Sequence, residues 1–189
     1  LEQQPSGRVS FNDAIKLLMA VADALMAVHK AGLLHRDIAP DNIYLTDEGR
    51  VKLLDFGAAR FAAGEHSRSL SVILKPGYAP EEQYRTRGKQ GPWTDVFGLA
   101  ATFYRAITGQ VPPESLDRLD QDDLVPASKL GISIPPEQEG HLLQALSVKA
   151  EGRLKNIEQL QDGWNKNNIF FQPRVIDQAD NSPKTTPNE

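Results

Sequence analysis

Three oxygen-bearing side chains stand at spacings that suit metal and phosphate chemistry. Asp37 and Asn42 share the polar stretch His35-Arg36-Asp37-Ile38-Ala39-Pro40-Asp41-Asn42, and Asp55 opens Asp55-Phe56-Gly57 directly after an apolar run. Carboxylate and carboxamide oxygens are hard ligands suited to Mg²⁺, which takes few protein oxygens and draws the rest from water and substrate phosphates. Phosphoryl transfer asks for little covalent chemistry from a protein; it needs a placed metal and an oriented hydroxyl. Taken singly, an Asp after a strand is a turn former and a loop Asp-Asn pair is solvated. Only the set together points to chemistry.

The elements that must hold this set follow from periodicity. Ile15, Leu18, Met19, Ala22, Leu25, Met26 and His29 recur at helical spacing, with Ser10 as N-cap, Asp13 in the first turn and Gly32 as a stop, which predicts a long buried helix over about 11–30. Short apolar pieces follow at Leu33-Leu34, at Ile43-Tyr44-Leu45 with Ile43 and Leu45 facing the core, and at Val51-Leu54. The polar link Thr46–Arg50, with Gly49, predicts a hairpin turn. From Phe56 to Pro80 no period is sustained, and a loop this long in a compact domain is usually functional. Thr94–Thr108 is apolar nearly all round and predicts a central buried helix ending at Gly109. Further helices are expected near 114–119, 136–147 and 156–166. The expectation is one domain over 1–168 and a polar tail or linker over 169–189, where Pro183 and Pro187 stand among polar residues. The fold class is mainly α (α+β), a helix-rich globule with a small β element beside the loop.

Composition narrows the function classes. A net charge of −4 gives no general pull toward nucleic acid or anionic membrane, and no nucleic-acid partner is expected. The absence of cysteine excludes disulfides, thiolate metal sites and a cysteine nucleophile, which fits a reducing cytoplasm. No apolar run reaches membrane-spanning length, and residues 1–9 lack the charged-then-apolar order of a signal peptide.

The stretch HRDIAPDN resembles the catalytic loop of eukaryotic-type protein kinases, followed at the usual distance by DFG (Asp55–Gly57) and APE (Ala79–Glu81). Asp95 and Arg153 match further family positions, and GYAPEEQY resembles bacterial Ser/Thr kinases. The resemblance covers about residues 1–168 and implies the C-terminal lobe, a helical bundle with short β-hairpin elements beside the catalytic loop. It implies ATP and Mg²⁺ as cofactors and a protein substrate as partner. Asp37 would orient the substrate hydroxyl or accept its proton, and Asn42 and Asp55 would hold Mg²⁺ on the ATP phosphates. Tyr44 would floor the adenine pocket. His35 and Phe56 would pack together beside Gly57, and Asp95 would accept backbone N–H groups near His35 and Arg36. Glu81 would pair with Arg153, the adjacent Glu82 being the other candidate.

The sequence departs from this family at three places. Most Ser/Thr kinases carry a lysine at the position of Ala39 to contact the transferring phosphate; tyrosine kinases put an arginine two residues later, where this chain has Asp41. Counting back from Tyr78, Lys75 falls where the family has a threonine, in an alignment that leaves one residue missing between Tyr78 and Ala79. A reciprocal swap follows as an expectation: Lys75 reaches across and sets its ammonium beside Asp37; the alternatives are a solvated Lys75 or one that binds an acidic substrate. Arg36 suggests regulation by a phosphate on the loop, with Ser67, Ser69 and above all Ser71 as acceptors. Third, no Gly-rich loop and no Val-Ala-Ile-Lys-like strand with its glutamate partner occurs among the 189 residues. The chain is therefore expected to be a kinase fragment, inactive without its own N-terminal lobe. A pseudokinase scaffold and a small-molecule kinase are the rival readings.

Overall fold

The computed structural model describes residues 8–46, 48, 50–56, 60–61 (backbone alone) and 74–165. Helix α1 (Phe11–Lys30) starts where Ser10 Oγ accepts the Asp13 N–H at 3.2 Å. Its spaced apolar residues, Ala14, Ile15, Leu18, Met19, Val21, Ala22 and Leu25, form one buried face. Helix α3 (Pro92–Thr108) has Pro92 in its first turn, where a missing N–H costs nothing. It buries almost every residue from Thr94 to Thr108 and ends at Gly109, whose φ of 76° is the left-handed turn a side chain would resist.

α1 and α3 pack on each other as the central pair. Helices α4 (Pro136–Ala145) and α5 (Ile157–Asn165) close the core, and Phe103 meets Trp164 edge-on at 4.7 Å with Phe11 beside both rings. Such buried side chains each contribute about 1.5–3 kcal/mol, so the helical core supplies the rigid floor on which the loops sit.

The β content is small and lies over this floor. Strand β1 (Leu33–Leu34) pairs antiparallel with β4 (Arg60–Phe61), and β2 (Ile43–Leu45) pairs with β3 (Val51–Leu53), setting Ile43 opposite Leu53 and Leu45 opposite Val51. The hairpin turn closes through Thr46 N–H to Arg50 O at 2.9 Å. Leu45 does not face the core: it is 57% exposed, because the three-residue strand touches the helices at Ile43 and Leu45 stands at the outer, turn end. The helix expected near 114–119 is a single 3₁₀ turn, Asp117–Leu119. Two short elements have no periodic signal in the sequence, α2 (Glu81–Tyr84) and the 3₁₀ turn Ala127–Leu130. Residues 166–189, which include the expected tail, lie outside the described residues, as do Gly57, Ser67, Ser69 and Ser71.

Candidate active site

The site grows from Asp95 in the first turn of α3. Its carboxylate is buried and accepts the His35 N–H at 2.9 Å and the Arg36 N–H at 2.7 Å. His29 Nε2, from the last turn of α1, lies 2.7 Å from the same carboxylate. These bonds fix the loop that follows β1, and they hold Arg36 at φ 70°, a left-handed conformation that an arginine adopts only when its surroundings impose it. Gln83 Nε2 donates to Arg36 O at 2.7 Å, and Arg36 Nε donates to Gln90 Oε1. Ile38 and Ala39 are buried beneath the loop and anchor it to the core.

A 3₁₀ turn, Pro40–Asn42, then brings the carboxamide back onto the acid. Asn42 Nδ2 donates to Asp37 O and to Asp37 Oδ2, both at 2.7 Å. With Nδ2 spent on Asp37, the amide oxygen is the atom Asn42 has left to offer. Asn42 O accepts the Leu54 N–H at 2.8 Å, which sets Asp55 beside the loop. Asp55 itself has φ 55°, the second left-handed non-glycine residue among those described.

His35 joins the two segments. Its Nε2 lies 3.1 Å from Leu54 O, an acceptor, so Nε2 carries the proton. Its ring tilts against Phe56 at 4.7 Å between centroids. Burial holds the His35 imidazole below its ordinary value, against the raising pull of Asp95, the Leu54 carbonyl, Asp37 and Asp55.

Lys75 crosses to the loop. Its Nζ lies 3.4 Å from Asp37 Oδ2 and 3.1 Å from Asp41 Oδ2. Burial by itself would raise the Asp41 carboxyl, but the Lys75 hydrogen bond, a backbone bond and the ammonium charge outweigh it and hold the group below its usual range. Tyr44 is 52% exposed on β2, and Leu54 and Phe56 are exposed as well.

The pairing with Arg153 corrects the expected one. Arg153 Nη1 lies 2.7 Å from Glu82 Oε1, both side chains are buried, and Thr94 Oγ1 donates to Glu82 Oε1 at 3.0 Å. Arg153 also donates to the carbonyls of Ser147, Trp93 and Val148, and its guanidinium stacks over Phe97 at 4.9 Å. Glu81 pairs instead with Arg85, the residue that caps the end of the same short helix. Helix geometry explains the choice, since successive residues of α2 point in different directions and, of the two glutamates, Glu82 is the one buried against Thr94 of α3. The register changes with it. With Glu82 as the motif's glutamate, the motif is Pro80-Glu81-Glu82, no residue is missing after Tyr78, and Lys75 stands at the threonine position without a gap.

Comparison with known proteins places this geometry. The family model described as "Protein kinase domain" matches residues 2–152. The chain belongs to the protein kinase family. A probable serine/threonine-protein kinase of Clostridium acetobutylicum is 30% identical over 97% of this chain and 30% of its own length. The serine/threonine-protein kinase PknL of Mycobacterium tuberculosis is 38% identical over 65% of this chain and 32% of its own. Among solved structures, the PpkA-294 apo form superposes with a TM-score of 0.69 at 31% identity, over 86% of this kinase chain and 57% of that one. The kinase chain thus spans about a third of the length of these curated relatives, and its helix-rich fold with small antiparallel sheets is that of a kinase C-lobe.

Four residues of the site carried no local signal. His29 read as one more position on the buried face of α1, and its partner lies 66 residues away. Gln83 and Gln90 are unremarkable polar residues whose contacts depend on how α2 folds back. Asp41 stood out only as the absence of an arginine.

Proposed function

We propose that this kinase region orients a protein serine or threonine hydroxyl for attack on the γ-phosphate of Mg²⁺-ATP, in the cytoplasm where ATP is available. One observation carries the reading: Asp37 Oδ2 is gripped between the Asn42 amide at 2.7 Å and the Lys75 ammonium at 3.4 Å. That grip leaves Oδ1, which no group among the described residues bonds, to receive the hydroxyl. The hydroxyl oxygen forms a bond to the γ-phosphorus, the bond from phosphorus to the β,γ-bridging oxygen breaks with its electron pair leaving on ADP, and the proton passes to Asp37 Oδ1.

The residues present suit Mg²⁺. Asn42 offers its amide oxygen and Asp55 an exposed carboxylate, two hard ligands; no cluster of three or more His, Cys, Asp or Glu suited to a metal occurs among the described residues. A metal held so draws its remaining ligands from phosphate and water, and when bound it neutralises charge on the transferring phosphate. Lys75 adds a second positive charge beside Asp37. Tyr44, exposed on β2, offers its ring to the adenine, and Arg36, bonded to Gln90, would also pair with a phosphate on a serine of the 67–71 segment. The Phe56 contact keeps the Asp55 segment in register with the loop.

The Lys75 ammonium supports an active enzyme over a pseudokinase, since it supplies the cation that Ala39 lacks. The buried Glu82–Arg153 brace beneath the loop supports a protein substrate over a small molecule. On this reading, the phosphate-covering loop and its lysine come from elsewhere in the parent polypeptide, and residues 1–189 alone transfer phosphate poorly.

The test is phosphorylation of a peptide library holding serine, threonine and tyrosine acceptors by the full-length protein, read by mass spectrometry. Phosphoserine and phosphothreonine are the expected products; phosphotyrosine alone, or none, would contradict the reading.

A further inference from the structure

In this site the cation beside the catalytic acid comes from the segment preceding α2, not from the catalytic loop, and something must hold that long side chain over Asp37. A lysine carries four rotatable bonds and much rotamer entropy, so an unrestrained ammonium spends much of its time elsewhere. Its root is well fixed. Lys75 O accepts the N–H groups of Tyr78 at 3.0 Å and Ala79 at 3.1 Å, which folds 75–79 into a tight turn. Gly77, at φ 79°, presses so close to Val111 and Pro112 that an added Cβ would lie 2.4 Å from Val111 Cγ1. The turn fixes the backbone but not the tip.

The tip is fixed by Asp41. Its Oδ2 lies 3.1 Å from Lys75 Nζ, closer than Asp37 Oδ2 at 3.4 Å, so the ammonium sits between two carboxylates. Asp41 follows Pro40 in the 3₁₀ turn, flanked by buried Ala39 and Asn42, so its backbone is as rigid as the loop. Its side chain is 70% exposed while that of Lys75 is 27% exposed, so the outer carboxylate caps an ammonium that points inward. We propose that Asp41 is a positioning residue, which acts on phosphoryl transfer by holding the ammonium of Lys75 over Asp37. This rests on the phosphotransfer reading above and names a device within that site.

The charge arithmetic shows why the two must act together. Asp37 and Asp41 bring two negative charges to the place where an anionic phosphate must approach, and Lys75 offsets one of them. Without Asp41 the ammonium is present but loose. Without Lys75 both carboxylates repel the phosphate, and Asp41 has nothing to position. The effect of removing Asp41 therefore depends on Lys75 being there.

A double-mutant cycle on the full-length protein tests this, using Mg²⁺-ATP and a serine peptide free of basic residues. Asp41 is exposed and Lys75 lies outside the apolar core, where substitution usually leaves the fold intact. Lys75→Ala is expected to lower kcat by about 100-fold, the loss typical of one group that stabilises transition-state charge. Asp41→Asn is expected to lower kcat by about 10-fold with peptide KM unchanged, since a group that acts through the transition state moves kcat rather than KM. Asp41→Glu, which keeps the carboxylate, should recover most of that loss. In the Lys75→Ala background, Asp41→Asn should cost nothing further.

An equal loss in both backgrounds would overturn the proposal, because Asp41 would then act without Lys75. A rise in KM with kcat unchanged would overturn it too, because Asp41 would then be reading the peptide. Asp37→Asn separates the levels: full activity in that variant removes the phosphotransfer reading itself, whereas an inactive Asp37→Asn beside an unaffected Lys75→Ala removes only the positioning role.

Discussion

Replacing Glu82 by alanine should destabilise the protein by about 3 kcal/mol, and the structure says why the figure is not larger. Arg153 is fully buried and Glu82 nearly so, and breaking a buried pair from one side costs roughly 3–5 kcal/mol because an uncompensated charge remains. Arg153 would keep three carbonyl acceptors, on Ser147, Trp93 and Val148, and the face of Phe97, which places the loss near the lower bound. Arg153→Met should cost more, toward about 5 kcal/mol, because among the described residues the buried Glu82 carboxylate would keep only the Thr94 hydroxyl. The pair Glu82→Leu with Arg153→Met should recover much of the loss, since apolar residues of similar volume carry no desolvation penalty. Glu81→Ala is the control. Glu81 is itself 14% exposed, but its partner Arg85 is 59% exposed and screened by solvent, so losing this pair should cost less than losing the fully buried Glu82–Arg153 pair. Urea unfolding followed by tryptophan fluorescence reads all four, with midpoints shifting and slopes constant. For a chain of this size 3 kcal/mol lowers Tm by roughly 6–12 °C. Equal costs for Glu81→Ala and Glu82→Ala would refute the assignment of the buried brace.

Three further outcomes follow from the site. Burial depresses the His35 pKa below 6.5, so between that folded value and 6.5 the unfolded chain binds the extra proton; stability is whole above about pH 6.5 and declines as pH falls through this window. Thermal melts from pH 7.5 to 5.5 should show that slope, and His35→Gln should flatten it. Asp95→Asn should cost about 2–3 kcal/mol in chemical denaturation and slow phosphotransfer as well. An amide oxygen cannot serve both backbone N–H groups and His29 as the carboxylate does, and Arg36 loses the bond that holds its left-handed φ. Gly77→Ala should cost about 2–4 kcal/mol in the same unfolding assay, from overpacking against Val111 and Pro112 and from a left-handed φ of 79°, and should lower turnover by moving Lys75.

The parts of this architecture that local periodicity controls were legible in the sequence. α1 starts just after its cap Ser10 and α3 stops just before Gly109 because capping and left-handed chemistry are written in single residues. Asp37, Asn42 and Asp55 were legible because their spacing is a motif. The contacts between distant segments were not. Nothing in Glu81-Glu82 says which one meets an arginine 71 residues on, until the four residues of α2 set their directions. His29 looked apolar by position while its ring serves Asp95 across the helix pair. Leu45 alternates with Tyr44 as a half-buried strand should, but the strand is too short to carry that alternation into the core.

The central claim is that Asp37 receives the proton of a protein hydroxyl in transfer from ATP. The most direct measurement is incorporation of γ-labelled phosphate into a serine or threonine peptide by the full-length protein, beside its Asp37→Asn variant at matched folding. The account predicts incorporation that depends on Mg²⁺ and falls by at least about 100-fold in the variant, the loss that removing a positioned general base typically brings. Equal incorporation by both proteins would contradict it.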